Sequence, residues 1–264
     1  MCCGELQSAL SFPLNSYIKG IRCVNENVAE GPDSISVDGF YHNATGEGVK
    51  MRIYAVSDLH GRKDRIARIR DTIADLRADL LVIAGDITNY TNARSVVNDL
   101  NDMPVPVLAV RGNTDLSRVE TLIEGASNIS SLHLNTVQIK GVTFVGVSGT
   151  IPVPFYSKLC CFEKRIIDKI ENLLERETVL VAHPPPRGIL DEAFGRFHAG
   201  SRGLYSMIAR RQPRLFLCGH IHERPGWRYV GETLVVNCNI SEEWGGALVT
   251  YDGKVDVKVA MLSR

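Results

Sequence analysis

Five short stretches of this chain put oxygen and nitrogen donors directly after an apolar run. Asp58-Leu59-His60 follows A-V-S, Asp86 follows V-I-A-G and Asn113 follows A-V-R-G. His183 follows V-L-V-A, and His220-Ile221-His222 follows L-F-L-C-G. Four of the seven histidines belong to these sets. Buried together without a cation, such groups are costly to desolvate; a metal removes that cost. The donors exceed what one transition metal usually takes, so two metals are the economical reading. A carboxylate such as Asp86 can bridge two cations about 3.5–4 Å apart, and such a pair activates hydroxide and clamps a phosphoryl group. With no cysteine among the donors, the mixed N/O set favours Mn²⁺, Fe or Zn²⁺ in a working site over a structural zinc. Each stretch alone says little, since D-x-H arises by chance and G-D after a strand is commonly a turn. Their order and common context make the pattern specific.

That order resembles the calcineurin-like metallophosphoesterase superfamily, whose signature runs D-x-H, G-D, G-N-H-[DE], H, G-H-x-H. The likeness extends from residue 51 to about 258. V-S-D-L-H-G, G-D-I-T-N, A-H-P-P-P, H-A-G-S, G-H-I-H-E and T-L-V-V-N are similar to the Icc-related predicted phosphoesterases of prokaryotes. The resemblance implies a four-layer α/β/β/α sandwich with a dinuclear centre between the sheets. It places Asp58, His60 and His222 on one metal and Asn113, His183 and His220 on the other, with Asp86 bridging. It also implies in-line attack on phosphorus by a metal-bridging hydroxide, with Asp86 and Asn113 among the catalytic residues.

One position departs from the pattern. Where the superfamily keeps a histidine that protonates the leaving group or steadies the phosphate, this chain has Thr114. A threonine hydroxyl can hydrogen-bond a phosphate but is too weak an acid to deliver a proton at neutral pH. General acid catalysis supplies typically ~10²–10⁴-fold, roughly 3–5 kcal/mol of barrier. The expectation is selective impairment: aryl phosphodiesters turn over, simple alkyl monoesters slowly. Asp115 is a poor substitute donor beside two dications, and its expected role is to cap the helix after it. His198, in F-H-A-G-S-R, is the candidate catalytic replacement from a loop. Ser201 and Arg202, at a helix start, are candidate phosphate contacts. Asn89, Arg111 and Thr114 are further substrate-binding candidates. The stiff A-H-P-P-P stretch is expected to orient His183. His133 and His42 match no motif and read as structural or exposed, and Trp227 and Trp244 read as packing residues.

These residues need a scaffold, and the sequence supplies one from Met51 onward. M-R-I-Y-A-V-S reads as a first strand. A helix near 63–77 follows, with Ile66, Ile69, Ile73 and Leu76 at helical spacing. Strands are expected at 79–84, 105–110, 142–148, 178–182 and 214–218, with helices near 92–100, from 116, near 158–175 and at 201–211. The last forty residues read as short strands. Alternating β and α followed by strands suggests sheets between helices.

Residues 1–50 show no sustained period and are rich in Gly, Asn and Ser. They read as a poorly structured leader, or Met51 is the true start; residues 51–264 form the metallophosphoesterase domain. Mass spectrometry of the native protein separates the two.

Thirty basic residues balance thirty acidic ones, so no net positive field draws in duplex nucleic acid. A small phosphate ester, a nucleotide included, is the expected partner; the oligomeric state is open. No apolar run reaches the length of a membrane span. Seven cysteines without C-x-x-C argue against a disulfide framework and for a reducing cytoplasm, which leaves the N-A-T sequon at 43–45 without meaning. Cys218 reads as a buried strand residue. The unlike alternative is a metal-binding scaffold with little or no catalysis, as in the retromer subunit of this fold. A scaffold need not keep seven good ligands.

Overall fold

The computed structural model describes residues 22–24, 50–149, 160–195, 197–253 and 256–263. His42 and the 43–45 sequon lie outside them. Within 1–49 the described part is β1 (Arg22–Val24), which pairs antiparallel with the last strand, β15 (Val257–Ser263).

Two sheets form the centre. In the first, β2 (Met51–Val56), β3 (Leu80–Ala84), β4 (Val107–Val110) and β5 (Ile129–Ser131) run parallel. β14 (Trp244–Tyr251) and then β15 extend it antiparallel beside β2. In the second sheet, β7 (Val142–Val147), β8 (Val179–Ala182), β11 (Leu215–Cys218) and β13 (Thr233–Asn237) run parallel. β6 (Thr136–Ile139) and β12 (Gly226–Val230) close its two edges. A separate two-stranded ribbon joins β9 (Glu192–Ala193) to β10 (Phe197–His198).

Strand alternation sorts the apolar residues into layers. Met51, Ile53 and Ala55 of β2 point into the space between the sheets, where they meet Phe144, Val181, Leu217 and Val236. Tyr54 and Val56 of the same strand point outward, onto α1 (Lys63–Leu76), α2 (Ala93–Asn101) and α3 (Ser117–Glu124). On the far side, Leu180, Phe216 and Val235 pack under α4 (Cys160–Glu171) and α5 (Arg202–Arg211). The result is the expected four-layer α/β/β/α sandwich. Ile66, Ile69, Ile73 and Leu76 are the buried stripe of α1, as their spacing requires. Cys218 is buried, and so is Cys238. Trp227 and Trp244 pack against the inter-sheet core. No helix among the described residues is long and apolar enough to cross a membrane.

Asp115 corrects an expectation. The residue before α3 is Leu116, and no side chain caps that helix. The nearly buried Asp115 carboxylate instead accepts from the backbone N–H of Ile87 (2.9 Å), Thr88 (2.7 Å) and Gly112 (2.9 Å), and from the Thr88 hydroxyl (2.8 Å). It therefore ties the loop after β3 to the loop after β4. A carboxylate satisfied by four donors at this depth outweighs a helix cap, because its loss strands buried N–H groups at roughly 1–3 kcal/mol each. Asp115→Ala is expected to reduce the unfolding free energy by about 3 kcal/mol or more, read from urea denaturation. A loss near ~1 kcal/mol, the size of a missing cap, would contradict this role.

Candidate metal centre

All five donor sets sit at the C-terminal ends of parallel strands: β2, β3 and β4 of one sheet, β8 and β11 of the other. The loops are stitched together by the backbone. Asp58 N–H donates to Gly85 O (3.0 Å), His60 N–H to Asp86 O (2.9 Å) and Gly61 N–H to Ile87 O (2.9 Å). The sheets join at the same end, where Ser57 N–H donates to Cys238 O, and within the second sheet Gly219 N–H donates to His183 O. Four donor residues hold left-handed backbone, Asp58 (φ 62°), His60 (φ 51°), Asp86 (φ 52°) and His220 (φ 72°). Each such position costs of order 1–3 kcal/mol and persists only where the surroundings impose it. The glycines of G-D and G-N have a steric purpose. A Cβ on Gly85 (φ 95°) would lie 2.5 Å from His183 Nδ1, and one on Gly112 would lie 2.1 Å from Asp86 Oδ1.

The side chains converge at the strand ends. Asp58 Oδ1 lies 3.1 Å from His222 Nε2 and 4.0 Å from His60 Nε2. Asn113 Oδ1 lies 3.0 Å from both His183 Nε2 and His220 Nδ1. Asp86 Oδ2 stands between the groups, 3.9 Å from His60 Nδ1 and 3.5 Å from His183 Nε2. Each carboxylate is aimed by what holds its other oxygen. Asp58 Oδ2 accepts from Ser57 Oγ (2.5 Å) and His220 N–H (3.1 Å), leaving Oδ1 for the imidazoles. Asp86 Oδ1 accepts from Thr114 N–H (2.9 Å), leaving Oδ2. His183 Nδ1–H donates to Ala84 O (2.9 Å), which turns Nε2 toward Asp86 and Asn113. Asp58, Asp86 and His183 form a nearly sealed floor, while His60 and His222 are partly open to solvent. Asp58, His60 and His222 present ligand atoms close enough together for one ion, and so do Asp58, Asp86 and His183.

The electrostatics show how strongly this site wants positive charge. Burial would raise the Asp58 carboxyl, but the His222 hydrogen bond and the charge of His183 hold it well below the usual range. Asp86 is lowered in the same way: burial opposes ionisation, and the His183 contact overcomes it. Burial would lower His183, yet Asp86 and Asp58 push it up to about 9. His220 falls to about 4 through burial and the neighbouring His183. Burial also lowers His60, whereas the Asp58 bond raises His222. Two carboxylates that stay ionised beside imidazoles, with an amide oxygen and no thiolate, are donors suited to a pair of divalent cations.

The remaining predicted residues divide. The Thr114 hydroxyl donates to Thr88 O (2.6 Å), so its only proton is committed there. Arg111 is engaged with Glu120 (2.7 Å) and with Asp115 O (3.3 Å). Ser201 caps α5, accepting from Leu204 N–H (3.0 Å), and Arg202 is exposed. Asn89 is exposed beside Gly61, its Oδ1 accepting from Thr91. His198 sits on β10, bonded to Asp191. His133 is structural, with Nδ1 accepting from Ser148 N–H (3.0 Å). Sequence reasoning missed Arg65, whose guanidinium donates to Asp58 O from α1 and braces the left-handed turn. On a helix face such an arginine reads as solvated, so no sequence signal marks it.

A calcineurin-like phosphoesterase family model matches residues 51–224. An uncharacterized protein of Methanocaldococcus jannaschii is 30% identical over 200 residues, 71% of this chain and 87% of its own length. Human metallophosphoesterase domain-containing protein 1 is 25% identical over 249 residues, covering 82% of this chain and 74% of its own. The crystal structure of TT1561 from Thermus thermophilus superposes with a TM-score of 0.61 at 16% identity, over 80% of this chain and 98% of that one. The converging strand ends and the match across most of the folded chain place this protein in the calcineurin-like metallophosphoesterase family.

Proposed function

We propose that this metallophosphoesterase hydrolyses phosphodiesters, using two divalent cations drawn from Mn²⁺, Fe or Zn²⁺. The observation that carries the proposal is the meeting of two donor groups across Asp86 Oδ2, next to a Thr114 hydroxyl whose proton is spent on Thr88. Asp58, His60 and His222 would hold one cation, Asn113, His183 and His220 the other, and Asp86 both. When bound, the cations supply a deprotonated water and neutralise charge on the phosphoryl oxygens. The protein's part is placement. Ala84 O fixes which nitrogen His183 presents, and Thr114 N–H fixes which oxygen Asp86 presents. Asn89, exposed beside the His60 turn, and Arg202, exposed at the start of α5, are the freer polar groups for substrate. Arg111, Ser201 and Thr114 each already serve a protein partner, so any substrate contact from them would be secondary.

Nothing at position 114 can protonate a departing alkoxide. Leaving groups that are stable as anions do not need that proton, whereas alkyl alcohols do. Small phosphate esters, a nucleotide included, fit this reading better than duplex nucleic acid, given the balanced charge.

Metal analysis after purification should find up to two divalent ions per chain. With Mn²⁺, bis(p-nitrophenyl) phosphate should turn over faster than alkyl phosphomonoesters; the reverse preference would contradict the proposal. Asp86→Asn should lower kcat by roughly 10³-fold or more, because it weakens both cation positions. An enzyme that binds two ions yet hydrolyses no ester would instead be the scaffold.

The same site should couple metal to folding. At a free Mn²⁺ concentration of about 100 times Kd, binding to the native state alone adds ~2.7 kcal/mol of stability per site. Thermal unfolding should therefore shift upward with Mn²⁺ and downward with a chelator. Asp86→Asn should largely abolish the shift, and an unchanged response in that variant would remove Asp86 from the site.

A further inference from the structure

The β9–β10 ribbon carries a second arrangement of chemical groups outside the donor cluster. His198 Nδ1 lies 2.7 Å from Oδ1 of Asp191, a carboxylate that is 1% exposed. The other oxygen of Asp191 accepts from Gly200 N–H (3.0 Å), and its backbone O accepts from Ala199 N–H (2.9 Å). Asp191 is thus fixed on three sides, and it holds the imidazole with Nδ1–H directed inward. Among the described residues, Nε2 has no partner, and half of the side chain is open to solvent.

The ribbon is anchored to two donor loops. Downstream, Ser201 N–H donates to Pro185 O (2.9 Å) and Arg187 N–H to Ser201 O (2.9 Å), which clamps the H-A-G-S segment against the prolines that follow His183. Gly200 lies so close to Pro186 that a Cβ there would be 2.7 Å from its backbone. Across the ribbon, His198 is paired with Glu192, so the two side chains share a face. The Glu192 carboxylate bonds Arg224 (2.5 Å), two residues beyond His222. The face that bears His198 also bears the carboxylate that tethers the ribbon to the segment just after His222. Arg187 completes the hold by donating to His198 O (2.7 Å).

We propose that His198, oriented by Asp191, is the proton donor to the leaving-group oxygen, in place of the histidine absent at position 114. This rests on the phosphoesterase reading above. As water oxygen bonds to phosphorus, the bond from phosphorus to the leaving oxygen breaks and its electron pair goes to that oxygen. The proton on His198 Nε2 transfers to it, and the neutral imidazole recovers a proton from solvent. Asp191 is a positioning residue: it keeps Nδ1 occupied, so that Nε2 is the nitrogen that gives and regains the proton.

The test compares bis(p-nitrophenyl) phosphate with diphenyl phosphate, whose leaving group is more basic, in Mn²⁺-loaded protein. His198→Ala removes an exposed side chain and should leave bound metal unchanged. It should slow diphenyl phosphate by about 10²-fold or more while the nitrophenyl ester changes little. Added imidazole should restore part of the lost rate on diphenyl phosphate only. Asp191→Asn should show the same selectivity in kcat with KM nearly constant. Equal losses on both esters, or no rescue by imidazole, would overturn the role of His198 and leave the phosphoesterase reading intact. A wild-type protein that holds two ions and cleaves neither ester would sink both.

Discussion

Two carboxylates and an imidazole, nearly or wholly sealed from water, bring their ligand atoms within 4.8 Å of one another at one end of the sandwich. Asp58 and Asp86 disfavour each other's charge, and burial disfavours both. His183, itself fully buried, is pushed up to about 9 by the two carboxylates. Such a cluster would unfold a protein that did not compensate it, since isolated buried charge is strongly destabilising. Compensation here is complete and local. Every oxygen of the two carboxylates has an imidazole or a hydrogen-bond donor as neighbour. The two sheets divide the donors: both carboxylates stand at strand ends of the first sheet, and three of the four imidazoles at strand ends of the second.

The loops gain their rigidity from the same demand. Left-handed backbone at Asp58, His60, Asp86 and His220 is unfavourable in isolation. It is held by backbone bonds between the loops after β2 and β3, by Arg65 on Asp58 O, by Asp115 below and, at His220, by its N–H bond to the Asp58 carboxylate. Asp115 does for the loops what a metal would do for the side chains above it: one acceptor gathers donors from separate strands. Position 114 belongs to this framework as much as to the chemistry. Its N–H aims Asp86 whatever side chain it bears, which is why a threonine can stand there without disturbing the carboxylate.

The layers and the seven donors are legible in the sequence because both follow simple periodicities. Strands with continuous apolar runs announce sheets buried on both faces, and a polar donor at the end of each run stands out against it. The short edge strands β5 and β6 are not legible. β5 is three residues long, and β6 turns into β7 through Lys140 and Gly141, both at positive φ, where asparagine or aspartate is the usual first residue. Asp115 escapes a sequence reading because capping is a local rule, whereas its partners lie up to 28 residues away. Arg65 and Asp191 are illegible for a related reason. Their meaning depends on which loop stands opposite, and spacing along the chain does not encode that.

In the reading proposed above, Thr114 leaves two tasks to separate groups. Neutralising the phosphoryl oxygens requires charge fixed at the cluster floor, the task proposed for cations held by the seven candidate ligands. Protonating a leaving group requires a group that is open to solvent, carries a transferable proton and can be recharged. None of the buried donors meets that description: Asp58 and Asp86 stay ionised, and the Thr114 proton is bound to Thr88. An imidazole on the rim does, provided one nitrogen is tied down and the other left free. The ribbon between the His183 and His220 loops supplies that geometry at His198.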